Sequence, residues 1–295
     1  MKCRCRRMSL LFAISLACSC LALSSGMVMA QKKESVGKQF EEFDRNNFDR
    51  STNIDNKWFP LKPGTQYVYK GVTQEEKKRV PHRLVFVVTD LAKMINGVRA
   101  LVVWEMDYKA GKMVEQELVF FAQDKDGNVW HLGQLSETYD EQEFVGARAF
   151  LVGTDGARAG IMVQAEPRPG TPSYSQGYAP PPFNWTDRGR VDQVGQKTCV
   201  PTGCYNDIVV IAETSDAEGP NAEQLKYYAP GVGLVRVGWR GKAEKLKETL
   251  ELAEVVQLSP EALAKACAEA LELEKRAYVY GRTPPAEFMR AAERQ

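Results

Sequence analysis

The sequence has only two histidines, His82 and His131, among its 295 residues. It also lacks a Gly-x-Ser-x-Gly nucleophile motif, a phosphate-binding loop and a dinucleotide fingerprint. These absences remove the sequence signatures of serine hydrolases, nucleotide hydrolases and nicotinamide-dependent enzymes. The sequence also has no pair of nearby histidines and no second cysteine pair that could complete a four-ligand metal centre.

Neither sign of charge is in excess. The chain has 39 Lys and Arg against 38 Asp and Glu, and residues 31–295 alone have 35 against 38. A nearly neutral surface does not offer the basic face that phosphates require, which excludes nucleic acid as a partner. After residue 30, no apolar run is long enough to span a membrane, and nothing in the pattern indicates an oligomeric state.

The first 30 residues are typical of a cleavable bacterial signal peptide. A basic head at 2–7 precedes an apolar run at 8–23 and a small-residue stretch that ends at Ala30. We expect cleavage after Ala30 and a secreted or periplasmic protein. One alternative is a membrane anchor, for which the run is short and interrupted by polar residues. The other is lipidation at Cys18 or Cys20, whose preceding residues match the lipoprotein pattern poorly.

Three of the seven cysteines lie outside this leader: Cys199, Cys204 and Cys267. An exported protein meets an oxidising compartment, where neighbouring thiols pair. Cys199 and Cys204 flank the turn-forming sequence Val-Pro-Thr-Gly, so we predict a disulfide across a tight loop. Cys267 is then a free thiol, buried on a helix.

Residues 58–257 have the pattern of a β domain. Runs of β-branched and aromatic residues alternate with turn signals such as Asn96-Gly97 and Ala110-Gly111. Residues 247–257 combine helix-forming residues with strand-like alternation, and we interpret them as a strand. The fold prediction is a mainly β protein, an antiparallel meander that forms a strongly curved sheet or a partly open barrel.

The remaining segments are simpler. Residues 31–57 are a polar arm, and residues 153–195, rich in Gly, Pro and Tyr, form a long loop over the sheet. Residues 258–295 form a helical tail: Ser259 can cap a first helix, and Pro284-Pro285 open a second one.

Four stretches of the sequence carry distinctive motifs: NIDNKWFPLKPGT at 53–65, FAQDKDGNVW at 121–130, GTDGARAGIM at 153–162 and KYYAPGVGLV at 226–235. Together they resemble a family of exported, β-rich bacterial proteins of unknown function. The resemblance spans most of residues 50–257 and leaves out the helical tail. It implies a β-rich exported protein, but it brings no catalytic or binding residues.

Large aromatic residues beside few polar groups are typical of small-molecule sites. In the simplest hairpin register Trp104 faces Glu117, while Glu105 and Asp107 point away. The strand that contains Glu117 then leads into Trp130 and His131. The alternative is that the tryptophans are core and that the long-loop aromatics only pack the loop onto the sheet. The predicted site consists of Trp104, Glu117, Trp130 and His131 with Tyr178 and Trp185 from the long loop.

Asp124, Asp126 and Asn128 place oxygen ligands at alternate positions around a glycine turn, which suits Ca²⁺. Leu135 stands where an EF-hand needs its bidentate acid. The alternative is a β-turn in which these side chains bind their own backbone. Apart from this calcium site we expect no cofactor.

The leading functional expectation is a non-enzymatic exported protein that binds a small apolar or saccharide ligand in a curved β-sheet. The second expectation is a hydrolase or lyase of cell-envelope or plant polysaccharide, with His131 and nearby Glu or Tyr residues as acid and base. Paired carboxylates can also cleave glycans, and the sequence offers Glu105, Asp107, Glu115 and Glu117. A third possibility is a structural or assembly factor of the cell envelope without a ligand.

Overall fold

The structure is a computed structural model that describes residues 39–75, 78–216, 222–241, 246–277 and 283–293. The predicted signal peptide and the alternative lipidation sites Cys18 and Cys20 lie outside the described residues. None of the described helices is long and apolar enough to cross a membrane.

The described residues form fourteen strands and one α-helix. The first half contains β1 Thr65–Glu75, β2 Lys78–Ile95, β3 Val98–Lys109, β4 Lys112–Gln123, β5 Val129–Asp140, β6 Glu143–Leu151 and β7 Gly160–Val163. The second half contains β8 Tyr174–Ser175, β9 Arg188–Val200, β10 Gly203–Thr214, β11 Glu223–Ala229, β12 Gly233–Arg240, β13 Leu246–Gln257, α1 Pro260–Ala277 and β14 Glu287–Phe288. Short 3₁₀ helices lie at Arg45–Asn47 and Ala291–Glu293.

All fourteen strands belong to one antiparallel sheet. Its order is β6-β5-β4-β3-β2-β1-β13-β12-β11-β10-β9-β8, with β14 paired to β2 and β7 paired to β5. Two meanders therefore meet where β1 pairs with β13. The sheet does not close, since β6 and β8 stand at its two ends. The predicted mainly β antiparallel fold is confirmed, and its single sheet is open.

The sheet buries both of its faces. We call inner face the one where side chains from both meanders pack in one core, for example Phe86, Phe121 and Tyr228. We call helix-covered face the opposite one, where α1 packs Cys267 and Leu273 against the sheet. Because side chains alternate along a strand, a one-residue shift of register moves a residue from one face to the other.

The helix α1 begins as the sequence predicts. The Ser259 hydroxyl accepts a hydrogen bond from the Ala262 N–H at 3.2 Å, and Pro260 is the first helical residue. Lys93 of β2 then fastens α1 to the sheet, because its Nζ donates to the Glu274 carboxylate at 2.7 Å. Both side chains are nearly inaccessible to solvent, at 1% and 2% exposed.

The second C-terminal helix is a wrong prediction. The residues after Thr283 form β14 and a short 3₁₀ helix instead. The Pro284 carbonyl accepts a hydrogen bond from Lys93 Nζ at 2.6 Å, and the Ala286 N–H donates to Glu274. These tertiary contacts hold the segment extended against β2, where its backbone finds partners.

Residues 153–195 are also more ordered than the predicted long loop. They contain β7, β8 and the start of β9. Strand β6 pairs with β5 only from Gly133 onward, which leaves Val129–His131 of β5 free to pair with β7. The loop therefore extends the sheet instead of only lying over it.

Two local predictions are confirmed. Cys199 and Cys204 form a disulfide at the β9–β10 hairpin, and Cys267 is a free, buried cysteine on α1. Residues 247–257 belong to strand β13, which pairs with β1 over its whole length. The long ladder to β1 decides this segment against its helix-forming composition.

Candidate functional site

The inner face encloses a cavity of about 220 Å³ at the meeting of β1–β4 with β11–β13. Its wall is divided into two parts of different chemistry. The apolar part is formed mainly by Phe59, Tyr69, Phe86, Phe121, Tyr228 and Leu250. The polar part is formed by His82, Glu105, Asp107, Gln224, Lys226 and Glu248.

Phe59, from the loop before β1, organises the aromatic part. Its ring lies edge-on to Phe121 and Tyr228, with centroids 5.4 and 5.9 Å away. The hydroxyl of Tyr69 donates to the carbonyl of Leu234 at 2.9 Å, which fixes that ring between the two meanders. Aromatic pairs in these orientations are favourable, so this part of the wall is preformed.

His82 is the centre of the polar part. Its Nε2 lies 2.7 Å from an Asp107 oxygen and its Nδ1 lies 2.8 Å from a Glu248 oxygen, while Thr73 Oγ lies 3.1 Å from Nδ1. Burial lowers the pKa of His82, but the hydrogen bonds to Asp107 and Glu248 outweigh burial and raise the pKa to about 9. At neutral pH this side chain is therefore an imidazolium between two carboxylates.

Close approach of two strands brings Glu248 to His82. Gly71 of β1 lies opposite both His82 of β2 and Leu250 of β13. A Cβ at Gly71 would lie 1.8 Å from the Thr249 carbonyl oxygen, so no other residue fits here without moving β13.

A second charged group closes the polar part. Lys226 Nζ lies 2.8 Å from Glu213, whose other oxygen accepts a hydrogen bond from Gln176 at 2.7 Å. Burial lowers the pKa of Lys226, and the Glu213 carboxylate overcomes it and raises the pKa. Burial raises the pKa of Glu105 to about 7, partly opposed by Lys226.

The hairpin of β3 and β4 places four carboxyl groups on the inner face. A bulge at Asp107/Tyr108 pairs Asp107 with Glu115 and Glu105 with Glu117. The predicted register, with Trp104 opposite Glu117, is wrong, since this bulge adds one residue to β4. Trp104 instead faces Leu118.

These acids interact with each other and with β5. Gln134 donates to Glu117 at 2.9 Å, and the Ser136 hydroxyl donates to Glu115 at 2.5 Å. Burial, with Glu115 and Glu105 nearby, raises the pKa of Glu117 well above its ordinary value. Glu105 and Glu117 therefore keep their protons to a higher pH than exposed carboxyl groups do.

The structure separates the predicted site residues. Trp104 and Trp130 both lie on the helix-covered face, outside the cavity wall. The Trp130 ring packs edge-on against Phe43, and its Nε1 donates to Asp124 at 2.7 Å. Glu117 and His131 lie on the opposite, inner face, as alternation along the strands requires.

His131 lies in an aromatic enclosure beside the cavity. Its ring centroid is 5.2 Å from Phe150 and 5.3 Å from Trp185, and its Nδ1 donates to the Gln176 carbonyl at 3.2 Å. Burial lowers its pKa to about 4, so the ring is neutral. Trp185 packs against this ring, whereas Tyr178 packs against Phe40 with centroids 5.0 Å apart. Trp185 thus packs the long loop onto the sheet, and Tyr178 packs it against the N-terminal arm.

The predicted calcium ligands all accept hydrogen bonds within the protein. The Asp124 carboxylate accepts them from the Asn128 N–H, the Asn128 side-chain amide and Trp130 Nε1. Asp126 accepts one from Asn47, and Asn128 Oδ1 accepts one from the Ala165 N–H. Asp124 thus has the geometry of the alternative interpretation, a side chain that binds its own turn, whereas Asp126 and Asn128 join the turn to neighbouring segments.

Among the described residues, one set of His, Cys, Asp or Glu side chains is arranged for a metal ion: His82, Asp107 and Glu248. One ligand atom from each lies within 4.8 Å of the others. The predicted site did not include His82, Lys226 or Glu248. The sequence did contain a signal for the acids beside them. Two acids lie two residues apart in β3 and two more in β4, and this spacing puts all four on one face once the bulge is included.

The fold is similar to that of two crystal structures. A protein from Bacteroides fragilis NCTC 9343, described as exported and with a YmcC-like fold, matches with a TM-score of 0.38 and 14% identity over 68% of this chain and 99% of that one. A protein from Parabacteroides distasonis ATCC 8503, described as a lipoprotein, matches with a TM-score of 0.37 and 13% identity over 68% of this chain and 100% of that one. No protein family and no curated protein matches the chain.

Proposed function

We propose that this is an exported protein that binds a small saccharide in the cavity of the inner face and does not transform it. The main observation that supports this proposal is that the cavity wall is divided into aromatic rings and acceptor-rich side chains. Sugars present C–H faces that stack on rings and hydroxyl groups that donate to carboxylates. At about 220 Å³ the cavity is smaller than sites for drug-sized ligands, which occupy roughly 300–1,000 Å³.

The charge of the cavity wall predicts an order of affinity among sugars. Glu105, Asp107 and Glu248 face the cavity with His82 and Lys226, and Lys226 already pairs with Glu213. The wall is therefore acidic in sum. An amino sugar should bind most tightly, a neutral sugar less tightly, and a sugar acid least, since its carboxylate would enter beside three others.

The test is isothermal titration of the purified protein with glucosamine, glucose and glucuronate, repeated on two variants. Glu105→Gln should weaken glucosamine binding about tenfold, because hydrogen bonds to charged groups contribute roughly 1.5–3 kcal/mol. Glu254→Gln removes an exposed carboxylate of the same sheet and should change nothing. Binding of a fatty acid where all three sugars fail would overturn the proposal.

Export rests on the N-terminal sequence. Residues 1–30 combine a basic head, an apolar run and a small-residue cleavage site. N-terminal sequencing of protein from the native host should begin at Gln31, and its intact mass should show no lipid. An acyl group on Cys18 or Cys20 would instead make it a lipoprotein.

The four carboxyl groups of the β3–β4 hairpin favour one alternative function, a polysaccharide hydrolase or lyase. Glu105 and Glu117 stand directly opposite each other on neighbouring strands, and glycan cleavage commonly uses two carboxyl groups. Release of reducing ends from an envelope or plant polysaccharide would support this function if Glu105→Gln and Glu117→Gln abolish it and Glu254→Gln does not. Without such turnover, saccharide binding alone remains the proposed function.

A further inference from the structure

We propose that His82, Asp107 and Glu248 form a binding site for one divalent transition-metal ion, Zn²⁺ or Mn²⁺, in the wall of the inner-face cavity. The imidazole comes from β2, one carboxylate from β3 and the other from β13. One ligand atom from each lies within 4.8 Å of the other two. The site is thus assembled by three strands that are distant in sequence.

The charges of the three side chains fit a divalent ion. A neutral imidazole with a divalent ion balances the two carboxylates completely. Charge balance matters here because the His82 side chain is only 1% exposed and sits in a medium of low dielectric constant.

The ligand types select the metal. One imidazole nitrogen with two carboxylate oxygens suits Zn²⁺ and Mn²⁺, whereas Ca²⁺ and Mg²⁺ prefer oxygen ligands alone. Three protein ligands leave a coordination position for water or for a ligand in the cavity, as in zinc sites that act on small molecules. Thr73, which lies 3.1 Å from His82 Nδ1, is placed to orient the ring.

The approach to the site is open on the carboxylate side. The side chains of Asp107 and Glu248 are 24% and 27% exposed, in contrast to the buried imidazole. An ion on His82 Nε2 would lie beside Asp107, and Glu248, which contacts Nδ1, has room to turn towards the same ion while His82 stays fixed. A purely structural ion network would need no such opening. A measurement of metal binding therefore distinguishes a metal site from a structural ion network.

The test is isothermal titration of protein dialysed against EDTA with Zn²⁺, Mn²⁺ and Ca²⁺ separately, each metal alone and without sugar. We expect about one equivalent of Zn²⁺ or Mn²⁺ and no Ca²⁺ at the same concentration. Glu248→Gln should weaken binding at least tenfold. Glu254→Gln, on the same strand β13 but exposed, should bind the metal as the unaltered protein does.

A second measurement guards against misfolding of the Glu248→Gln variant. Co²⁺ bound to the unaltered protein should show visible absorption bands of a nitrogen- and oxygen-ligated ion, and Glu248→Gln should shift or abolish them while the far-ultraviolet circular dichroism stays unchanged. Equal binding by Glu248→Gln and the unaltered protein would overturn the proposal. So would calcium binding that disappears in Asp124→Asn. The metal is tested without sugar, so its failure and the failure of the saccharide proposal are separate results.

Discussion

The two faces of the sheet bury charge in different ways. On the helix-covered face, Lys93 and Glu274 form a one-to-one ion pair at 2.7 Å among apolar side chains. On the inner face, His82 lies between two carboxylates at the wall of a cavity, and further acids follow along β3 and β4. The first arrangement joins a helix to a sheet. The second has unbalanced negative charge beside empty space, which folding alone does not require.

This difference separates structural from functional polar groups. A buried pair that is complete in charge and hydrogen bonds can be replaced by apolar residues with little loss. A buried group of like charges lowers stability, and it is maintained where it binds or reacts with something. Substitutions on the two faces should therefore change stability in opposite directions.

The largest expected effect is on the helix-covered face. Lys93→Met leaves the Glu274 carboxylate buried without its cation and should lower the free energy of unfolding by about 3–5 kcal/mol. The double variant Lys93→Met, Glu274→Met should recover most of this loss. Urea unfolding of the protein and both variants provides the measurement. A single variant as stable as the unaltered protein would mean that the pair contributes nothing to docking α1.

The next effect concerns pH and His131. Its pKa is about 4 in the folded protein, below the ordinary value of 6.5, since burial opposes the charged ring. Between these values the unfolded chain binds a proton that the folded protein does not. Stability should therefore fall as pH decreases from about 6.5 to about 4, by about 3 kcal/mol.

The control for this effect is His131→Phe, which fits the rings of Phe121, Phe150 and Trp185 and does not titrate. The stability difference between the two proteins should change across that pH range. A constant difference would show that His131 has the same pKa in the folded and the unfolded protein.

The disulfide provides a comparison for these stability changes, because its removal alters no charged side chain. Cys199→Ser with Cys204→Ser opens a small loop and should lower the free energy of unfolding by about 2 kcal/mol. Thiol titration of the denatured protein without reductant should find one thiol outside the leader, Cys267. Three reactive thiols would contradict the pairing.

The smallest effect has the opposite sign. Glu105→Gln removes a carboxylate whose pKa is raised to about 7 by burial. At pH 8 the variant should be more stable by about 1 kcal/mol, a figure reduced by the partial exposure of the side chain. Glu254→Gln, which is exposed, is the matched comparison. A loss of stability in Glu105→Gln would mean that this acid supports the fold.

Much of the fold follows from local pattern. The β-branched runs, the Asn96-Gly97 turn and the Ser259 cap each act within a few residues, and each was predicted correctly. The pairing of Cys199 with Cys204 is local in the same sense. The second C-terminal helix failed because Lys93 and Glu274, far away in sequence, hold that segment extended.

The candidate site could not be predicted in the same way. One bulge in the β3–β4 hairpin decides whether Glu117 shares a face with Trp104 or with Glu105, and hydrophobic alternation alone does not reveal it. The contact of His82 with Glu248 depends on β13 returning to β1 across most of the chain.

The sequence by itself therefore determined most of the strands, the capped helix, the disulfide and the export signal that we propose, since these depend on near neighbours along the chain. The tertiary structure decided which face each polar residue occupies and which of them meet. The physical reason is that side chains alternate between the two faces along a strand. A bulge reverses that alternation locally, and long-range pairing decides which strands become neighbours.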